Sequence, residues 1–154
     1  MREPSSRERK LLRGPKRVPG GAIDEPIRAR CDAPPPSELL HAIEQFARGE
    51  YFEQHETLEN LWRATRAPIR ELYHGILQIG VGLHHLRRGN HHGAAVLLEE
   101  GIERLRPFTP ACQRVDVDAL IREATRARER LIALGPDRIG EFDWSVAPRV
   151  RLVG

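Results

Sequence analysis

Beyond residue 36 apolar residues recur at helical spacing, and five segments can be marked out. Leu39, Leu40, Ile43, Phe46 and Ala47 share one face of a first helix, which Ser37 is placed to cap directly after Pro34-Pro35-Pro36. Gly49 ends it, since glycine readily takes the left-handed conformation that closes a helix. A second helix is expected from Glu50 to Arg66, and a third opens at Pro68, a residue suited to a first turn, and continues to Arg88. In the third, Ile69, Leu72, Tyr73, Ile76, Leu77, Ile79, Val81, Leu83 and Leu86 wrap most of the circumference, which makes it the central element. Gly75 and Gly82 form a notch on it. Each costs about 1 kcal/mol relative to alanine, so another helix is expected to approach closely there. Gly89-Asn90 makes a turn, Asn90 caps a fourth helix over 91–106, and Pro107 and Pro110 stop it. Asp116 starts a fifth, which runs to Leu134 before Gly135-Pro136. Neither strand pairs nor a glycine-rich phosphate loop are evident. The expected fold is all-α, a bundle of about five helices over residues 37–134 with the third helix central.

The flanks differ in kind. Residues 1–36 lack sustained periodicity, carry Pro19-Gly20-Gly21 and end in three prolines, which predicts a disordered leader and a stiff linker. Residues 135–154 form a short tail in which Phe142, Trp144 and Val146 alternate, a pattern for packing along the bundle or forming a single strand.

Charge changes the picture only after it is partitioned. The net charge of +3 arises from nine basic and five acidic residues in 1–36, thirteen against fourteen in 37–134, and three against three in the tail. A near-neutral folded domain is not built to track phosphates, so nucleic acid is expected at most on the basic leader. No apolar run approaches the roughly 18 residues that span a bilayer, and the N-terminus lacks the apolar core of a secretory signal. The two cysteines, Cys31 and Cys112, make neither a framework nor a CxxC pair. A reducing cytoplasm is the expectation, with a disulfide between them possible but unsupported by spacing.

Candidate chemistry concentrates on the second helix. Phe52, His55, Leu58, Glu59 and Trp62 fall on one side with Tyr51 beside them, so an imidazole and a carboxylate sit inside an apolar arc. A buried carboxylate requires a proton, a cation or strong donors nearby. The four-residue spacing of His55 and Glu59 allows a shared metal or a hydrogen bond, with Glu56 at the rim. The pattern His-Glu-x-x-Glu lacks the second histidine of zinc proteases, and it is not the Glu-x-x-His repeat of di-iron bundles, which would require glutamates from other helices at matching depth. His74, Gln78 and His85 share a side of the third helix and could complete a pocket. The pairs His84-His85 and His91-His92 are expected at the surface, because adjacent helical residues point apart. Four serines, Ser5, Ser6, Ser37 and Ser145, lie outside the middle of the bundle, and no nucleophile–base set is apparent.

Two stretches are distinctive when read together: Phe-Ala-Arg-Gly-Glu-Tyr-Phe-Glu-Gln-His-Glu-Thr-Leu-Glu-Asn-Leu-Trp-Arg at 46–63 and Tyr-His-Gly-Ile-Leu-Gln-Ile at 73–79. They are followed by Arg-Arg-Gly-Asn-His-His-Gly-Ala at 87–94 and Leu-Leu-Glu at 97–99. This chain closely resembles the uncharacterised family called domain of unknown function 309, over residues 39–107 and more loosely to 134. The resemblance implies a small helical bundle with one central helix, and it implies no activity. The motif positions are Phe46, Gly49, Tyr51, Phe52, His55, Glu56, Leu58, Glu59, Trp62, Gly75, Gln78, Gly89, Asn90, Gly93 and Ala94, while His74 stands where the family's third helix commonly has glutamine.

The candidate pocket is therefore His55, Glu56, Glu59, Trp62, Tyr51, His74 and Gln78. The chain is expected to be a binding or interaction module in which the His-Glu cluster is mainly structural and function lies in a surface groove or in dimerisation through the fourth or fifth helix, so that a protein partner or a homo-oligomer is compatible with it. The alternative is a small metal- or substrate-dependent, hydrolase-like enzyme using His55 and Glu59. No cofactor is required by the sequence, though a divalent metal on His55 and Glu59 is compatible with it.

Overall fold

A computed structural model gives the structure of the protein and describes residues 21–154. Five α-helices are present among them: α1 (Ser37–Ala47), α2 (Tyr51–Ala64), α3 (Arg70–Arg87), α4 (His91–Leu105) and α5 (Val117–Leu134). The architecture is all-α, as the periodicity predicts. Helix α3 is the centre: every residue from Leu72 to Leu86 is buried, with α2 packed on one side and α4 on the other. Helix α1 covers α2, and α5 covers α4.

Local chemistry explains most of the boundaries. Gly49 and Gly89 close α1 and α3 with φ of 74° and 80°. Asn90 Oδ1 accepts from the Gly93 amide at 2.9 Å and Asp116 Oδ1 from Ala119 at 3.0 Å, so both helices that follow are capped. Ser37 is not a cap. It lies inside the first turn, Pro36 holds the cap position, and the serine hydroxyl donates to Glu38 at 2.7 Å. Pro68 also precedes its helix, because residues 67–69 form a separate turn before α3 begins at Arg70.

The glycine notch is filled by α4. A Cβ on Gly75 would stand 2.8 Å from Leu105, and one on Gly82 3.0 Å from Leu98. The contact is reciprocal, since a Cβ on Gly101 of α4 would lie 3.0 Å from the Gly75 carbonyl oxygen and 2.8 Å from Ile79. Each glycine lets the partner helix come closer than any side chain would allow.

Three expectations are corrected. The part of the leader that is described, residues 21–36, is held to the bundle. Ile23 N donates to Arg66 O at 3.0 Å, and Arg28 donates to the carbonyls of Pro107, Thr109 and Ala111 at 3.1, 2.8 and 3.2 Å. Cys31 and Cys112 are joined by a disulfide. Periodicity cannot reveal such a strap, which is pinned by one guanidinium, backbone bonds and a covalent link. The disordered reading of residues 1–20 lies outside the described residues.

Second, a small hairpin, β1 (Ala111–Cys112) and β2 (Val115–Asp116), turns through Gln113 and Arg114 at φ of 46° and 67°. No glycine or asparagine advertises that turn. Third, His84 and His85 are buried rather than superficial. The α3 core continues to its last turn, where the Asn90 loop folds back and brings Asn90 Nδ2 within 3.3 Å of His85 Nδ1.

The C-terminal tail packs along the bundle as two short 3-10 turns, Pro136–Glu141 and Trp144–Val146, with Phe142 buried. Leu152 bridges Val115, and Asp116 N donates to Arg151 O at 2.8 Å, so the tail ends beside the hairpin.

Candidate functional site

The seam between α2 and α3 carries the polar residues that the sequence singles out. His55 Nε2 lies 3.0 Å from Glu59 Oε2, one helical turn along α2, and both side chains are about nine-tenths buried. The other carboxylate oxygen, Glu59 Oε1, accepts from Arg63 at 2.5 Å. Glu59 thus receives the strong donors that its burial demands, one from each neighbouring turn. His55 is flanked by Phe52, whose ring is 6.0 Å away and which also meets His84 at 5.9 Å.

One turn further along α2, the buried Trp62 packs edge-to-face on His74 of α3 at 6.0 Å. Arg70 places its guanidinium 3.2 Å over the indole and donates through Nε to Thr65 O at 2.9 Å. The chain turns sharply between α2 and α3, which is why a residue at the start of α3 can cover the end of α2. Burial pushes the Arg70 pKa down, opposed by neighbouring Glu71.

His74 is the most perturbed group. Burial, then the positive charge of Arg104, then that of Arg70, lower its pKa from 6.5 to about 3, so the ring is neutral at physiological pH. Its Nδ1 lies 3.9 Å from Glu71 Oε2, an atom also bound by Arg104. Arg104 Nε donates to Gln78 Oε1 at 3.0 Å, and Gln78 Nε2 donates to Glu100 at 3.1 Å. A polar ladder therefore runs from α3 to α4 through Glu71, Arg104, Gln78 and Glu100.

Of the candidate residues, the fold brings together His55, Glu59, Trp62 and His74, and attaches Gln78 through Arg104. Glu56 is exposed and outside the cluster. Its one-residue displacement from His55 turns it to solvent. Tyr51 is also elsewhere: it meets Phe46 at 5.5 Å, stacks on Trp144 at 6.4 Å and lies beneath Arg87 at 4.9 Å. His85 turns to Asn90 rather than to His74 and Gln78. Sequence reasoning missed Arg63, Arg70, Glu71 and Arg104. The first was available, since Arg63 follows Glu59 at helical spacing; the others depend on how α3 meets α2 and α4.

Chemically, both Glu59 oxygens are engaged, and no three His, Cys, Asp or Glu side chains converge as a metal-ligand set among the described residues. His55 and Glu59 alone would offer a divalent ion two ligands, with Arg63 competing for the carboxylate.

With this geometry established, comparison with known proteins locates the segment. Residues 39–97 match the model of the family described as Domain of unknown function (DUF309). The matched segment begins within α1 and ends in the first half of α4, so it contains His55, Glu59, Trp62, Arg70, His74 and Gln78 but neither Arg104 nor either cysteine. The chain is also similar to an uncharacterised protein, YpuF, of Bacillus subtilis, at 33% identity over 85 residues, 54% of this chain. The chain spans about half the length of that curated relative, 49% of it. No solved structure matches the chain significantly. No helix among the described residues is long and apolar enough to cross a membrane.

Proposed function

We propose that the DUF309 bundle is a binding module. In this reading the buried α2–α3 seam holds its binding site, and His55, Glu59 and Arg63 form a lock that fixes the register of α2. The observation that carries it is the complete engagement of Glu59, one oxygen to His55 and the other to Arg63. A carboxylate so held is poorly placed to act as a general base. His74 supports the same reading. A histidine held near about 3 is too weak a base for proton abstraction at neutral pH, but it remains a directed polar contact.

The test compares wild type, His55→Ala and Glu59→Gln by denaturant unfolding and native mass spectrometry, using protein purified without chelators. The expected result is lower stability in both variants and an unchanged set of non-covalent adducts. Wild-type stability combined with loss of an adduct would make the pair a ligand-contacting site and would favour the metal- or substrate-dependent alternative. The same spectra give the oligomeric state, and so test a second copy of the chain as the partner.

A further inference from the structure

Among the buried polar atoms of the seam that lack a hydrogen-bond partner are two on neighbouring rings, the indole Nε1 of Trp62 and Nε2 of His74. Their residues are only 3% and 6% exposed, and their rings touch. Indole nitrogen is a donor and nothing else. Native interiors seldom leave such groups unpaired, and two on adjoining rings call for an explanation.

The surroundings give the sign of charge that would suit them. The Arg70 guanidinium lies against the Trp62 ring, and Arg104 reaches the Glu71 oxygen that faces His74 Nδ1. With its Nδ1 edge toward that carboxylate, the neutral imidazole carries its proton on Nδ1 and presents a bare Nε2. Trp62 requires an acceptor, His74 requires a donor, and the Arg70 guanidinium against the indole, with Arg104 shared with Glu71, favours negative charge. We propose that Trp62, His74, Arg70 and Arg104 form a binding site for a small oxyanion, a carboxylate or phosphate group, which accepts from Trp62 Nε1 and shares a proton with His74 Nε2.

The charged groups around the imidazole are Arg70 and Glu71 on its own helix and Arg104 on α4. On α2 the Glu59–Arg63 pair brackets Trp62. Burial first, and then the charges of Arg104 and Arg70, keep His74 unprotonated; an anion among them offsets the guanidinium part, so occupancy draws a proton toward the ring. Binding and proton uptake are then linked, and affinity rises as the pH falls.

This inference rests on the binding-module reading and names the ligand class of its site. The experiment is an NMR titration of 15N-labelled full-length protein carrying Trp144→Phe, which leaves one indole signal. Inorganic phosphate and acetate are added separately at constant ionic strength, with chloride as the control. The expected result is a saturable shift of the Trp62 indole N–H, accompanied by a move of His74 Nε2 from the bare to the protonated nitrogen range. A response to phosphate alone or to acetate alone supports the site and fixes the class of oxyanion. Trp62→Phe, which keeps a ring beneath Arg70 but removes the donor, is expected to weaken binding about tenfold, as read from the His74 signal. The proposal is overturned if neither anion perturbs the two rings, or if chloride does so equally. It is also overturned if the His74 response is undiminished in folded Trp62→Phe and Arg104→Gln proteins. Should the titration fail while His55→Ala and Glu59→Gln still behave as structural variants, the oxyanion site falls and the binding-module reading stands.

Discussion

Helix α3 has two faces that are packed on opposite principles. Toward α4 its middle meets Leu98, Leu105 and Gly101 through Gly75, Gly82 and Ile79, a contact made by shape, with the Glu71–Arg104–Gln78–Glu100 ladder along its edge. Toward α2 it meets His55, Glu59 and Trp62, with Arg70 and His74 of its own among them. The first face is specified by the absence of atoms, because each glycine leaves a space that the other helix fills. The second is specified by pairing, because every charge taken out of water requires a partner. The first should therefore resist any addition. The second should resist any single deletion, yet tolerate replacement of a whole pair by apolar residues of similar volume.

The strongest way to break the contrast is to fill the glycine face. Gly101→Val brings methyl groups against Ile79 and the Gly75 carbonyl, whose backbone oxygen cannot turn aside. The expected loss is about 3 kcal/mol, seen as a lowered urea midpoint. A loss well under that would mean α4 slides freely on α3, and that the face is less tightly specified than its geometry suggests. On the seam, His55→Ala removes one of the two groups that hold Glu59 and is expected to cost about 2 kcal/mol. The double change His55→Leu with Glu59→Leu should return to within about 1 kcal/mol of wild type, because the whole pair is then replaced. A double variant as unstable as the sum of its single changes would show that apolar side chains cannot fill the seam.

The pH dependence of stability sharpens the comparison, since the glycine contact itself holds no titrating group. The folded-state pKa of His74, about 3, lies below its ordinary value of 6.5, so between those values the unfolded chain binds more protons than the folded one. The stabilisation is complete above pH 6.5 and is lost as the pH falls toward 3. The slope contributed by this one group approaches ~1.4 kcal/mol per pH unit. His74→Gln should flatten the unfolding free energy over that interval, measured by urea titration at successive pH values. An unchanged profile would assign the dependence to other groups. The smallest effect is expected from Arg63→Ala. Its side chain is 54% exposed, so the loss should be about 0.5 kcal/mol despite the short contact with Glu59.

How much of this was legible in the sequence follows from the range of the forces involved. Five helices and the central place of α3 could be read because they depend on apolar spacing within a single segment. The Gly75/Gly82 notch was readable for a related reason: glycine inside a helix is costly enough to imply a neighbour. His55 and Glu59 could be paired from their spacing on α2, and Arg63 by the same rule. What could not be read depends on how segments meet. Arg104 reaches His74 through Glu71 only because α4 crosses α3 at the glycines. Arg28 and the cysteines pin the strap to the hairpin through atoms far apart in the chain. The burial of His84 and His85 likewise follows from the return of the Asn90 loop, which adjacent-residue geometry does not foretell. Ser37 shows the limit on the smallest scale, since a good capping residue was displaced one position by the proline before it.

The Cys31–Cys112 bond, which joins positions 81 apart, has a topological consequence. The whole matched segment, 39–97, lies inside the loop it closes. While the bond is intact, α1 to α4 belong to a covalent ring from which the two ends of the chain hang as tails. A single proteolytic cut in the connection between α2 and α3, at the exposed Arg66, opens that ring without dividing the molecule. The nicked protein should run as one species on a non-reducing gel and separate into two fragments only when thiol is added.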